Sequence, residues 1–230
     1  MESFPYASVV ESLMYAMVGT KPDTYHVVGV LSRYMSKPGR EHLTTLKRVF
    51  RYLRGTTNYG IYYQGKLVSR KQVHVNGFIN SYWVGDSDQM RSKNGYFFNL
   101  NGGVVNWISR RHAVVALPTT EFEYMETTHA SKEAIWLQRL CSKVGFEQPI
   151  VRIECDSQSG IFLEKNPVNH AKTKHIDVKY HFVREMVENG KVLLEKVDAV
   201  ENVVETLIKS LSTTQFTWCR KATCIDAQGQ

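Results

Sequence analysis

Residues 74–109 read HVNGFINSYWVGDSDQMRSKNGYFFNLNGGVVNWIS, and their pattern sets the fold class. Three runs within them, 74–82, 95–100 and 103–109, are rich in Val, Ile, Phe, Tyr and Trp and have the length of strands. Turn-forming residues join the runs: Asp86, Asn94, Asn101 and Gly102, with Gly103 opening the third. Strands joined by such short polar turns predict an antiparallel meander.

Downstream the period changes. Residues 119–142 predict one long helix whose buried stripe is Ala130, Ala134, Leu137 and Cys141. Residues 150–155 (IVRIEC) predict a strand, 158–165 a short helix, 175–188 a longer helix and 191–197 a strand. Closing helices are expected over 201–225, then a frayed tail over 226–230. From residue 74 the order is β-β-β-α-β-α-α-β-α. Three antiparallel strands followed by parallel crossovers imply a mixed five-stranded sheet with helices on both faces, an α/β architecture.

Upstream the chain is helical in pattern. Apolar segments at 7–18 and 24–36 are punctuated by Gly19, Pro22 and Pro38-Gly39. Residues 40–54 (REHLTTLKRVFRYLR) are the most periodic stretch, with Leu43, Leu46, Phe50 and Leu53 as the expected apolar stripe. Lys47, Arg51 and Arg54 fall on another face, and Gly55 stands where a helix ends. Residues 59–63 (YGIYY) predict a strand. The resulting division is a helical segment at 1–65, a polar linker at 66–73, the α/β domain at 74–225 and the tail.

The 230 residues suit one large domain, or a domain of about 140–150 residues with an appendage. A 43% hydrophobic share suffices for a core, and 11% aromatic residues argue against disorder. The formal charge of +7 suits an anionic partner, nucleic acid first among them. Cys141, Cys155, Cys219 and Cys224 form no CxxC pair, so no zinc site of that kind is expected and reduced thiols are. No signal pattern opens the chain and no apolar stretch approaches the roughly 20 residues of a membrane span. An intracellular protein, cytoplasmic or nuclear and without membrane association, is expected. Trp83, Trp107, Trp136 and Trp218 read as core residues sooner than as base-stacking ones.

Seven segments carry a family resemblance: SLMYAMVGTKPD (12–23), VLSRYMSKPGREH (30–42), LKRVFRYLRGTTNYGIYY (46–63), SRRHAVVALPTTEFEY (109–124), SKEAIWLQRL (131–140), CDSQSGIFLEKNP (155–167) and TKHIDVKYHFVREMV (173–187). In this order and spacing they resemble the C-terminal part of copia-type retrotransposon Pol polyproteins, plant elements above all, over about residues 5–220. The resemblance implies the end of a reverse transcriptase up to about residue 65 and a ribonuclease H domain from about residue 74. The polymerase's paired-Asp motif is expected upstream, within a longer polyprotein that Met1 would interrupt. DNA synthesis by this chain is therefore not expected.

The implied chemistry is cleavage of the RNA strand of an RNA–DNA hybrid by two Mg²⁺ (or Mn²⁺) ions about 3.5–4 Å apart. Hard cations of this kind need oxygen ligands, so the family gathers carboxylates at four places. The first, an Asp in a segment like VDSDWAGD, corresponds to Asn80 in INSYWVGD (79–86); Asp86 and Asp88 follow in the turn. The second, in TEAEY, corresponds to TEFEY (120–124), where Glu123 aligns best and Glu121 is the fallback. The third is Asp156 in CDSQS, which would also suit the cap of a following helix. The fourth, the Asp of NVADxLTK, is Glu205 in NVVETLIK (202–209). The resemblance thus implies Glu123 and Asp156 as metal ligands, Glu205 as a longer substitute and Asn80 as a degenerate position. Pro118, Phe122, Glu126 and Glu164 also depart from the family's usual small or polar residues. A catalytically impaired copy is the expectation; a non-catalytic nucleic-acid-binding module or a decayed fragment are the alternatives. Lys172, Lys174 and His175, with His170 and His181 nearby, read equally as phosphate contacts or as a solvated basic face.

Overall fold

The computed structural model describes residues 4–63, 72–82, 93–111, 119–156 and 174–227. Its centre is the mixed sheet that the pattern predicts. Strand β2 (Val75–Tyr82) pairs antiparallel with β3 (Lys93–Leu100), and β3 pairs antiparallel with β4 (Gly103–Arg111). On its other side β2 pairs in parallel with β5 (Val151–Cys155), which pairs in parallel with β6 (Val192–Lys196). The order β4-β3-β2-β5-β6 is the expected mixed five-stranded arrangement. The β3–β4 turn shows why local chemistry was enough there. Leu100 pairs with Gly103, and the two residues between, Asn101 and Gly102, both have positive φ (47° and 89°). That geometry suits the right-handed twist of a two-residue hairpin, and Asn-Gly tolerates it best.

The parallel pairs need crossovers, supplied by α4 (Thr119–Lys143) and α5 (Lys174–Glu188). Alternate residues of a strand face opposite ways, so the sheet has two distinct cores. Val75, Ile79, Tyr96, Phe98, Ile153 and Cys155 are buried with Ala130, Ala134, Leu137 and Cys141 of α4, the stripe read from its spacing. Val183 of α5 joins them, and Lys132 of α4 lies 5.7 Å over the Phe182 ring. The two alanines are fully buried, which lets α4 lie close to the sheet. Gly77 belongs to the same economy of space, since a Cβ there would stand 2.5 Å from the Phe98 ring.

The opposite face is covered by the chain's end. Phe97 and Val104 pack with Val203, Val204, Leu207, Ile208 and Ile225, and Tyr25, Ile61 and Trp107 border them. Here the closing segment is shorter in its helices than expected: α6 (Glu205–Ile208) and α7 (Thr213–Ala222), preceded by a 3-10 turn at Ala199–Glu201. Ser212 caps α7, its hydroxyl accepting from the Gln215 amide at 3.2 Å.

The first third forms α1 (Tyr6–Gly19), α2 (Tyr25–Leu31) and α3 (Arg40–Gly55) around their own apolar cluster. Four readings are corrected here. The segment 24–36 is not one helix, because α2 is flanked by 3-10 turns at Pro22–Thr24 and Ser32–Tyr34. The buried stripe of α3 runs through Leu46 and Val49, whereas Phe50 is 46% exposed. Both choices obey helical spacing; the direction from which α1 and α2 approach selects the first. The tail is not frayed from residue 226, since β7 (Ile225–Ala227) pairs antiparallel with β1 (Tyr59–Ile61). Side chains fasten this part to the sheet as well: the Trp107 indole donates to the Met17 carbonyl at 3.0 Å and the Tyr25 hydroxyl to that of Ser109 at 3.2 Å. Trp136 and Trp218 are exposed, contrary to their reading as core, and Trp83 lies outside the described residues.

Candidate active site

The candidate site is built at the carboxyl ends of two neighbouring parallel strands, β2 and β5, where an α/β sheet leaves a crevice for ligands. Ile79 of β2 is in register with Cys155 of β5, so Asn80 and Asp156 follow side by side. Asn80 is 5% exposed and pairs across with Gly95 of β3. Gly95 is needed because α6 lies directly above. A Cβ at this position would meet the Ile108 carbonyl at 3.0 Å and the Ile208 and Val204 side chains at 3.1 and 3.2 Å.

Helix α6 is held there by a residue to which sequence pattern assigns no role. Asn202, fully buried, donates from Nδ2 to the Ile79 carbonyl at 2.8 Å and accepts from the Val204 amide at 3.2 Å. One side chain thus splices the start of α6 onto β2 beside Asn80. Glu205, the first residue of α6, is 7% exposed. Its Oε1 is engaged by the Nζ of Lys209, one helical turn on. Lys209 closes the segment that resembles the fourth family motif, yet its partner emerges only from the fold.

Electrostatics tie these groups together. Burial pushes the Asp156 carboxyl up to about 6, against a hydrogen bond from its own backbone amide. The charges of Glu205 and Glu123 push it further up, and that of Lys209 pulls it down. Glu123, half-buried near the start of α4, is therefore within electrostatic reach of Asp156. Glu121 sits in the same helix, with its side chain outside the described residues. Asp86, Asp88 and the segment expected to form a helix at 158–165 also lie outside them. Asp156 thus feels the charges of Glu205, Glu123 and Lys209, with the neutral amide of Asn80 on the neighbouring strand. Among the described residues no group of three His, Cys, Asp or Glu side chains is arranged to hold a metal ion.

Glu126 is a second acid, marked in the sequence only as a departure from the family. It is 3% exposed on the α4 face of the sheet, where Asn94 of β3 donates to its Oε2. Burial pushes its carboxyl up to about 7, with Arg110 and Asn94 opposing. The residues Asn94 and Asn80 have opposite parity along paired strands, which places Glu126 behind the sheet from Asn80.

Of the basic groups, Lys47, Arg51 and Arg54 are exposed along α3, joined by Arg48. Lys174 and His175 open α5, with side chains outside the described residues, and Lys172 and His170 lie outside them altogether. No helix among the described residues is long and apolar enough to cross a membrane.

No protein-family model matches the chain. The retrovirus-related Pol polyprotein from transposon TNT 1-94 of Nicotiana tabacum is 42% identical over 221 residues, which is 96% of this chain and 16% of that protein. A secreted RxLR effector protein 161 of Plasmopara viticola is 44% identical over 137 residues, 60% of this chain and 94% of that one. Among solved structures, the foamy viral protease–reverse transcriptase in complex with double-stranded DNA aligns over 86% of this chain and 40% of its own at 13% identity, with a TM-score of 0.53. That identity speaks for shared fold alone. The chain spans only 16% of the tobacco polyprotein's length. By likeness over nearly its whole length and by its strand order, the chain belongs to the family of retrovirus-related Pol polyproteins of plant transposons, as a stretch that includes a mixed five-stranded sheet of ribonuclease H-like fold.

Proposed function

We propose that the chain is a nucleic-acid-binding ribonuclease H-like module in which hydrolysis of the RNA strand of an RNA–DNA hybrid is severely impaired. The observation that carries this reading is Asn80, a buried neutral amide standing beside Asp156 where the resemblance implies a carboxylate.

By family, Mg²⁺ or Mn²⁺ would serve the reaction. The donor set among the described residues does not fit a pair of such ions. An amide oxygen can ligate a hard cation but brings no charge to it. Glu205 reaches a methylene further than Asp and spends an oxygen on Lys209. Glu123 and Asp156 are left as the acids that a metal would need, short of a three-acid group among the described residues. Loss of one charged ligand costs transition-state stabilisation of several kcal/mol, a rate factor of about 10³ or more.

Binding survives such losses because it draws on other groups. The exposed Lys47, Arg48, Arg51 and Arg54 of α3 present four cations to an anionic backbone. The +7 charge and a structural neighbour solved with double-stranded DNA support the same reading.

The test is cleavage of an end-labelled RNA–DNA hybrid with Mg²⁺ or Mn²⁺. The natural sequence is expected to bind the hybrid and leave it intact. The double reversion Asn80→Asp with Glu205→Asp is expected to raise cleavage by orders of magnitude. Strong cleavage by the unaltered chain, abolished by Asp156→Ala, would overturn the impairment. Reversion without gain would count against the assignment of these residues.

A further inference from the structure

We propose that the ammonium of Lys209 is the resident cation of the carboxylate site, occupying the charge role of a divalent ion and keeping such ions out. This rests on the reading of Glu123, Asp156 and Glu205 as the site's acids, and its test separates the two ideas.

The geometry starts from a four-residue spacing. Glu205 opens α6 and Lys209 follows its last residue, with the Lys209 amide donating to the Glu205 carbonyl at 3.1 Å. One helical turn brings the two side chains to the same side, in the favourable order of acid before base. Lys209 Nζ meets Glu205 Oε1 directly. The Glu205 side chain keeps 9% of its accessibility and that of Lys209 30%. The acid of the pair is thus largely withdrawn from water and its lysine half so, which strengthens their charge-assisted hydrogen bond.

The same ammonium serves more than one acid. Lys209 also stabilises the charged form of Asp156, opposing what Glu205 and Glu123 do to it. Lys209 therefore sets a positive charge directly on Glu205 and within electrostatic reach of Asp156. A divalent ion entering the site has either to displace the half-buried lysine from its acid or to bind beside a like charge. With Asn80 neutral, fewer negative charges remain to offset that repulsion. The methylene that distinguishes Glu from Asp matters here, because it extends the carboxylate toward residue 209. An acid one methylene shorter at 205 would reach less far toward the lysine.

The experiment is Mn²⁺ binding to the whole chain, followed by electron paramagnetic resonance of the free ion and by isothermal titration. Lys209→Met keeps the stem and removes the charge. It is expected to bind Mn²⁺ at least roughly tenfold more tightly than the unaltered chain, the scale on which groups around metal ligands act. Added Mn²⁺ should raise the melting temperature of this variant and leave that of the unaltered chain in place. Glu205→Asp, which retains the lysine, is expected to show a smaller gain and serves should Lys209→Met fail to fold. Adding Asp156→Asn to either variant should abolish the gain.

Equal Mn²⁺ affinity in all three proteins, abolished by Asp156→Asn, would overturn the role of Lys209 and leave the site reading standing. A gain that persists in the Asp156→Asn background would overturn the site reading, since the ion would then be bound elsewhere.

Discussion

Replacing Glu126 by Gln should remove a large part of the pH dependence of this protein's stability. Glu126 is 3% exposed, and burial raises its carboxyl from an ordinary 4.5 to about 7 despite the nearby Arg110 and the hydrogen bond from Asn94. The folded state therefore holds the proton through a pH range where the unfolded chain has released it. Folding stability is greatest below the unfolded value and falls as pH rises toward the folded value, after which it levels off. A rise from 4.5 to about 7 corresponds to about 3 kcal/mol, each tenfold change in proton affinity being worth about 1.4 kcal/mol. That is a large part of a typical domain's stability of roughly 5–15 kcal/mol. Gln is close in shape to protonated Glu and does not ionise. The assay is urea unfolding of both proteins between about pH 4.5 and pH 8, by circular dichroism. The variant should match the natural protein at the acid end and exceed it by about 3 kcal/mol at the alkaline end. Asp156 contributes a slope of the same sign, since its carboxyl is also raised, but it does so in both proteins and cancels in the difference. Parallel stability curves would refute the reasoning. They would mean that Arg110 and Asn94 compensate the charged Glu126 in full.

Gly77→Ala should lower stability by about 1–3 kcal/mol, since the added Cβ would stand 2.5 Å from the fully buried Phe98 ring; an unchanged urea midpoint would show that the ring can give way. Asn202→Ala removes both the bond to the Ile79 carbonyl and that to the Val204 amide, at a cost of about 1–3 kcal/mol. Hydrogen exchange should then quicken at the amides of α6 before those of α4, and uniform quickening would argue against a local splice. Replacing Lys47, Arg51 and Arg54 together by Ala should weaken hybrid binding and flatten its salt dependence, by roughly one in log–log slope for each side chain that had neutralised a phosphate. An unaltered slope would place the nucleic acid on another face.

How much of the fold the sequence disclosed follows from how local each signal is. The Asn101-Gly102 turn was legible because two adjacent residues carry the whole conformational demand. The α4 stripe was legible because 25 residues of helix repeat it. The burial of Val49 in place of Phe50 was not, because both positions satisfy the helical period and only the approach of neighbouring helices decides between them. The pairing of Ile225–Ala227 with Tyr59–Ile61 was out of reach for a stronger reason. Three residues per strand offer too little alternation to read, and the partners are far apart in sequence.

The site divides along the same line, between what a residue is and what it meets. The identities of Asn80, Glu123, Asp156 and Glu205 came from matching segments, and the paired ends of β2 and β5 place Asn80 and Asp156 side by side. The partners came only from the fold. Asn202 had no visible task until the Ile79 carbonyl, 123 residues away, came within 2.8 Å. Glu126 looked like a stray acid in an apolar position, and Asn94 on the facing strand supplied the donor that makes it tolerable. Lys209 is the sharpest case, because spacing alone already set it four residues from Glu205. A helix of only four residues gives no amphipathic pattern to announce itself, so nothing local says that the two share a side. A substitution of Asp by Glu therefore counts as conservative by charge and is not so by reach. The longer acid meets the ammonium of Lys209 one turn on, and on the proposal made for that lysine the added methylene lets the site spend its charge within the chain instead of on an incoming ion.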